Sequence, residues 1–205
     1  MNSLVTDKKI CSRPGRPRGF DPEAAVETAM RLFHERGYDG VGVAELCDAI
    51  GVKAPSLYAA FGSKEGLFER AVELYLATGG RFVAEALAAD AGLAETLRGL
   101  LLRAAEAYGA KDCPPGCLVM DATRNAADPK ARDLTAALKR QSRKRLRERI
   151  ARERPDLAAE LADHVMVALY GLSAASRDGM SRKALRGVAE GLAAGIARRI
   201  EGAAK

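Results

Sequence analysis

Tryptophan is absent from the 205-residue chain, Phe and Tyr number five each, and there are only two histidines. The residues that build most catalytic and metal centres are therefore scarce. No nucleophile motif, phosphate-binding glycine loop or paired set of metal ligands occurs, so neither an enzyme nor a cofactor is expected. Zinc would want four ligands, and the cysteines and histidines supply no second cluster, so no metal is expected. The four cysteines are Cys11, Cys47, Cys113 and Cys117. They are too few for a disulfide scaffold in a chain of this length, which agrees with a reducing compartment. No apolar run approaches the ~18 residues of a membrane span, and the N-terminus lacks a signal-peptide core. A cytoplasmic protein with no membrane association is the expectation. Sustained period-two alternation of β-branched residues is also missing, which argues against a sheet.

Helix formers are what the chain has. Hydrophobic residues make up 48% of it and charged residues 29%, with Ala, Leu and Arg abundant. The fold class predicted from this is all-α, and the length allows one large domain or two small ones. The net charge of +6 suggests an acidic partner, but it is unevenly spread. Residues 1–19 carry Lys8, Lys9, Arg13, Arg16 and Arg18 against Asp7 alone, whereas residues 20–65 carry four basic residues against eight acids. Any case for DNA must rest on motif geometry and the basic tail; bulk charge adds little.

The motif lies between Val43 and Lys64. Val43, Leu46, Cys47 and Ile50 recur at helical spacing, Gly51 stops that helix, and a second short pattern from Ala54 to Phe61 places Leu57 and Phe61 on its inner face. Two short helices around a glycine turn are the plan of a helix-turn-helix. The residues Gly51-Val52, Leu57-Tyr58, Phe61, Lys64-Glu65 and Leu67-Phe68 closely resemble the tetracycline-repressor (TetR) family of bacterial transcriptional regulators. The resemblance is dense from Gly19 to Phe68. It departs at Gly42, where the family usually has Ser or Thr, and glycine is an acceptable helix N-cap.

The resemblance implies three regions: a basic arm over 1–19, a three-helix DNA-binding head over 20–66, and a helical body for effector binding and dimerisation over 67–205. Asp21 and Pro22 form a cap-plus-N1 pair for the first helix, whose inner stripe is Val26, Ala29, Met30 and Phe33, with Gly37 at its end. His34, near that end and without ligand partners, is expected at the surface, and Tyr38 is expected to pack where the next loop starts. In the second short helix the outward candidates are Lys53, Ala54, Pro55, Ser56, Tyr58 and Ala59. Small Ala54 and Ser56 would let the backbone approach base edges, and Ala54 or Pro55 could meet a thymine methyl. By resemblance, Tyr58 and Lys64 hold phosphates. In the arm, Arg16 and Arg18 sit in a Gly-Arg-Pro-Arg string like those that precede the first helix in relatives. They would add phosphate or minor-groove contacts, or serve only as a solubilising tail.

Beyond Arg81 five or six further helices are expected, including Leu93–Tyr108, Cys117–Ala126, a very basic one from Asp128 to Arg152, one to Arg177, and a last one capped by Ser181. The basic helix carries nine basic residues and two acids between Lys139 and Arg154. They surround its circumference, so it reads as a solvated outer helix with Leu138, Leu146 and Ile150 inward. Gly187, Gly191 and Gly195 recur every four residues in the last helix, beside Val188. Three glycines on one face suggest close packing, and relatives dimerise through their last two helices, so Leu169 and Leu172 would supply the facing surface. The resemblance places an effector pocket among the middle helices, with Leu100, Ala104, Tyr108, Cys117, Leu118, Asp121, Arg124 and Asn125 as candidate lining. Cys117 near a helix start would have a lowered thiol pKa, and Cys113 stands four residues away, so a structural pair and a thiol sensor both stay open.

The expectation is a homodimeric, ligand-responsive DNA-binding regulator of repressor type that reads a palindromic double-stranded operator and is released by a small-molecule effector. Two rivals stand beside it. One is an activator or architectural factor without an effector, and the other is a redox- or electrophile-sensing regulator.

Overall fold

A computed structural model describes residues 21–202. Among them the chain forms ten helices and no strand. The first four are α1 (Pro22–Arg36), α2 (Val43–Ile50), α3 (Ala54–Phe61) and α4 (Lys64–Ala77). The remaining six are α5 (Phe82–Ala88), α6 (Leu93–Tyr108), α7 (Leu118–Asp121), α8 (Pro129–Ala151), α9 (Ala158–Arg177) and α10 (Arg182–Gly202).

Local chemistry sets these boundaries. The Asp21 carboxylate accepts from the Glu23 amide at 2.9 Å and starts α1 ahead of Pro22. Gly51, at φ 78° and ψ 34°, ends α2 and donates to the Cys47 carbonyl at 2.9 Å. Ser63 Oγ accepts from the Gly66 amide at 3.1 Å at the head of α4. A Cβ on Gly66 would collide with the Phe61 carbonyl, so the α3–α4 turn is as tight as backbone allows.

One hydrophobic core runs through the described residues. In the head, Phe33, Tyr38 and Phe68 cluster with ring centroids 5.0 to 5.8 Å apart. In the body, α6 is central and packs against α5, α9 and α10, with Leu97, Leu100, Leu101, Ala104 and Tyr108 sealed from solvent. Leu146 and Ile150 of α8 are buried, as their spacing required, and Leu138 is half-buried.

Two expectations fail here. The helix expected over Cys117–Ala126 is only the single turn Leu118–Asp121, after which the chain turns towards the Asp128 cap of α8. The basic helix is not solvated all round. Arg149 is 8% exposed, and its guanidinium donates to the Ala91 carbonyl at 2.7 Å, Thr96 Oγ1 at 3.2 Å and Glu153 at 2.7 Å. Glu153 in turn accepts the Leu93 amide at 3.0 Å, so this pair caps and clamps the start of α6. The Arg149 bond holds the Glu153 carboxyl below the usual carboxylate range.

Candidate nucleic-acid interface and its junction with the body

The head presents one face free of its own core. Leu46, Cys47 and Leu57 are buried and Phe61 is half-buried, so α2 and α3 are fixed from beneath by apolar side chains. Arg36 and Glu45 form an ion pair that ties α1 to α2. On the outer side of α3, Lys53, Pro55, Ser56 and Ala59 are exposed and Tyr58 is 45% exposed. Ala54 is half-buried at the edge of this face and packs against the core. The face is thus made of small side chains with one cation, one hydroxyl and one phenol, a shape that lets the α3 backbone come near another surface.

Lys64 is placed differently from these. It is half-buried, and its Nζ lies 4.2 Å above the centroid of the Tyr38 ring. Burial lowers its pKa, against the pull of Asp39, Asp128 and Glu65. The Tyr38 hydroxyl donates to Asp128 Oδ2 at 2.8 Å, so Lys64 sits over a bond that joins the α1–α2 loop to the cap of α8. Arg16 and Arg18 lie outside the described residues.

Head and body are joined by hydrogen bonds to backbone. The Tyr38 amide donates to the Ala122 carbonyl at 2.7 Å, and the Ala127 amide donates to Asp39 at 2.6 Å. Arg177 of α9 donates to the carbonyls of His34 and Glu35, each at 2.9 Å, at the free C-terminal end of α1. Gly116 is needed at the centre of this junction. Its φ is +82°, and a Cβ would meet Arg177, Asp121 and Ser173 atoms within 3.0 Å.

His34 is a correction. It is 6% exposed, its Nε2 donates to the Gly116 carbonyl at 3.1 Å, and its ring meets Tyr75 edge-on at 5.3 Å. Burial lowers its pKa to about 4, because a charged ring would lose its water there. Helix periodicity could have put His34 beside Ala29 and Phe33 on the inner face; its polarity pointed the other way.

The model of the bacterial regulatory protein family named tetR matches residues 25–71, which span α1, α2, α3 and the first half of α4. The chain is 40% identical over 178 residues to the HTH-type transcriptional repressor BdcR of Escherichia coli K12, an alignment that covers 87% of this chain and 89% of that one. The chain belongs to the TetR family. It is 29% identical over 201 residues to the repressor ComR of the same organism, covering 91% of this chain and 94% of ComR. A cysteine-substituted form of the TetR family regulator CifR, solved with 26-base-pair double-strand operator DNA, superposes with a TM-score of 0.80 at 35% identity, covering 88% and 98% of the two chains. As a member of this family the protein is a DNA-binding transcriptional regulator, and α2–α3 is its helix-turn-helix.

The body residues expected around a TetR-type effector fall into two groups. Leu100, Ala104, Tyr108, Cys117 and Leu118 come together, but as tightly buried members of the core. Asp121 is half-buried and accepts from Ser173 Oγ, while Arg124, which pairs with Asp121, and Asn125 lie on the surface. The four-residue α7 exerts no lowering on the Cys117 thiol that survives its surroundings. Burial pushes its pKa up, against the lowering by Tyr75 and Tyr108, which favours the structural reading of Cys117 over the thiol sensor. Cys113 is exposed and Cys47 is a small core residue.

The last two helices leave an apolar groove of about 770 Å³. Ala168 and Leu172 of α9 face Val188, Gly191 and Gly195 of α10 across it. Val167 is 68% exposed beside it, and Leu192 is also exposed. A Cβ on Gly187, Gly191 or Gly195 would meet nothing within 4 Å, so no element among the described residues fills that side. Leu169, in contrast, is buried in the core and does not line the groove. The clamps Arg149 and Arg177 went unread in the sequence, since a guanidinium that reaches carbonyls leaves no periodic signal.

Proposed function

We propose that the protein is a transcriptional repressor that binds a palindromic operator as a homodimer in the cytoplasm and releases it when a small-molecule effector binds. The observation that carries the reading is the α2–Gly51–α3 turn, with Leu46 and Leu57 holding α3 from below and Lys53, Pro55, Ser56 and Ala59 exposed above. In this reading the residues 20–66 form the head, 67–205 the body, and the basic residues of 1–19, Arg16 and Arg18 among them, add phosphate contacts. Ser56 and Ala54 approach base edges, while Tyr58 and Lys53 meet phosphates. Lys64, which the resemblance also assigns to a phosphate, lies over the Tyr38 ring beside this face.

The groove between α9 and α10 supports dimerisation, since an apolar face of this size with unfilled glycines accepts the same face of a second copy about a two-fold axis. Two recognition helices then lie about one helical turn apart along the operator. The relatives named repressors, and the CifR complex with operator DNA, support the sign of regulation and the DNA target. Release requires an effector with higher affinity for the unbound arrangement of the heads.

Selection of bound sequences from a random DNA pool tests the reading. An enriched inverted repeat is expected, bound in a gel-shift as one dimer per site. Enrichment of no sequence, or of a single half-site bound by a monomer, would refute it.

A further inference from the structure

A cleft of about 740 Å³ opens where α1, the end of α4, the end of α6 and the loop after it meet. That volume lies in the range of small-molecule sites. Its walls are largely apolar, with Met30, Leu74, Tyr75, Ala107, Ala110 and Pro114 among them. Its polar groups are mostly acceptors. Glu23 and Glu27 stand one helical turn apart at the rim, exposed and with no ion-pair partner among the described residues, and Arg31 is the cation in the lining.

The deeper acceptor is His34, which is more than nine-tenths buried and lines the same cleft. Its Nε2 bonds a backbone carbonyl, which only accepts, so Nε2 carries the ring hydrogen. With a pKa near 4 the ring is neutral at pH 7, and Nδ1 is then a bare lone pair. Nδ1 has no hydrogen-bond partner among the described residues. Among the described residues no side-chain nitrogen or oxygen that is sealed from solvent lacks a partner, so Nδ1 keeps access to open space. A largely apolar cleft therefore has in its lining His34, with one unused acceptor, and the carboxylates of Asp21, Glu23 and Glu27.

We propose that this cleft binds a small organic amine in its cationic form, its apolar body against Leu74 and Tyr75 and its N–H groups donating to His34 Nδ1. Glu23 and Glu27 favour the positive charge on the way in and at the rim. An anion of the same shape meets the carboxylates of Asp21, Glu23 and Glu27 against the single cation Arg31. The two walls are α1, which braces the helix-turn-helix, and α6, the centre of the body, so an occupant bears on both. Its use as the effector site rests on the repressor reading; the binding itself does not.

The test is calorimetric titration of the full chain with 1-naphthylmethylammonium and, separately, with 1-naphthoate. Saturable binding of the ammonium is expected, with the carboxylate at least about tenfold weaker. The double variant Glu23→Gln/Glu27→Gln, altered only at exposed positions, should bind the ammonium about tenfold more weakly. Ala110→Trp, which fills the cleft, should abolish binding, with circular dichroism used to show that both variants are folded. No saturable binding, equal affinity for the two probes, or wild-type affinity in both folded variants would overturn the proposal. A gel-shift with the ammonium added is read apart from these. Binding without loss of operator leaves the site standing and removes only its role in release.

Discussion

The outer face of α3 and the groove between α9 and α10 are built on the same device and serve opposite chemistries. Both have floors of small residues, Ala54, Ser56 and Ala59 in one case and Gly171, Gly191 and Gly195 in the other. Small side chains let a partner's bulk come close to backbone. What distinguishes the two partners is the rim. Around α3 stand Lys53 and the Tyr58 hydroxyl, groups with the charge and the donor to meet a polyanion. Around the groove stand Val167, Val188 and Leu192, which gain only from losing water. Closeness is set by the floor and identity by the rim, so small residues alone name no partner.

The sharpest way to break this contrast is to give the groove a charge. Leu192→Asp is expected to weaken dimerisation by roughly a thousandfold, because an unpaired carboxylate buried at an interface costs about 3–5 kcal/mol. Sedimentation equilibrium would read this, and operator affinity should fall with the dimer while the circular dichroism spectrum stays helical. A variant that remains dimeric would mean that the groove is not the interface.

His34 lies at the contact of α1 with Gly116 and Tyr75, and its burial there makes the fold sensitive to acid. Its ordinary pKa of about 6.5 falls to about 4 in the fold, so the unfolded chain binds the additional proton between those values. Stability is unaffected by this residue above about pH 6.5 and declines as pH falls towards 4, by at most roughly 3 kcal/mol. Carboxylates held low by arginines, such as Glu160 and Asp163, add their own losses at the acid end. The contribution of His34 is therefore the difference between wild type and His34→Gln in urea melts across pH 4 to 7. Parallel curves would remove it.

Two smaller changes sharpen the contrast from each side. Gly191→Leu adds bulk to the floor of the groove without altering its rim, and should weaken the dimer by about 1–3 kcal/mol through overpacking. Light scattering at several concentrations would detect it. Lys53→Ala removes one rim cation from α3. Operator affinity should drop modestly, and the slope of log affinity against log salt should fall by about 1, with dimerisation unchanged. A slope that does not move would place Lys53 off the phosphates.

The elements that could be read in the sequence were those marked by local chemistry. Asp21, Gly51 and Asp128 are caps whose partners lie within a few residues, and each starts or stops a helix where expected. The outward side of α3 followed from the positions of Leu57 and Phe61. What could not be read depends on distant partners. His34 meets Gly116, Arg149 meets Ala91, and Arg177 meets residues far back in α1; none of these leaves a pattern along the chain. Cys117 illustrates the same limit. Its position before a helix suggested an acidic thiol, but burial in a core built largely from residues remote in sequence raises its pKa, against the lowering by Tyr75, Tyr108 and the amides of its own helix start. The region 117–126 was misread because its residues suit a helix while the chain there must turn to reach the cap of α8.

The bonds from Arg177 end on the carbonyls of His34 and Glu35 rather than on their side chains. A carbonyl is present whatever residue occupies the position. The side chain at 35 can therefore drift without losing this bond, and a fault at Arg177 has no second-site suppressor there. A genetic screen for restored operator control in an Arg177→Ala strain should return true revertants, or changes that bring a new donor to the end of α1 from another helix.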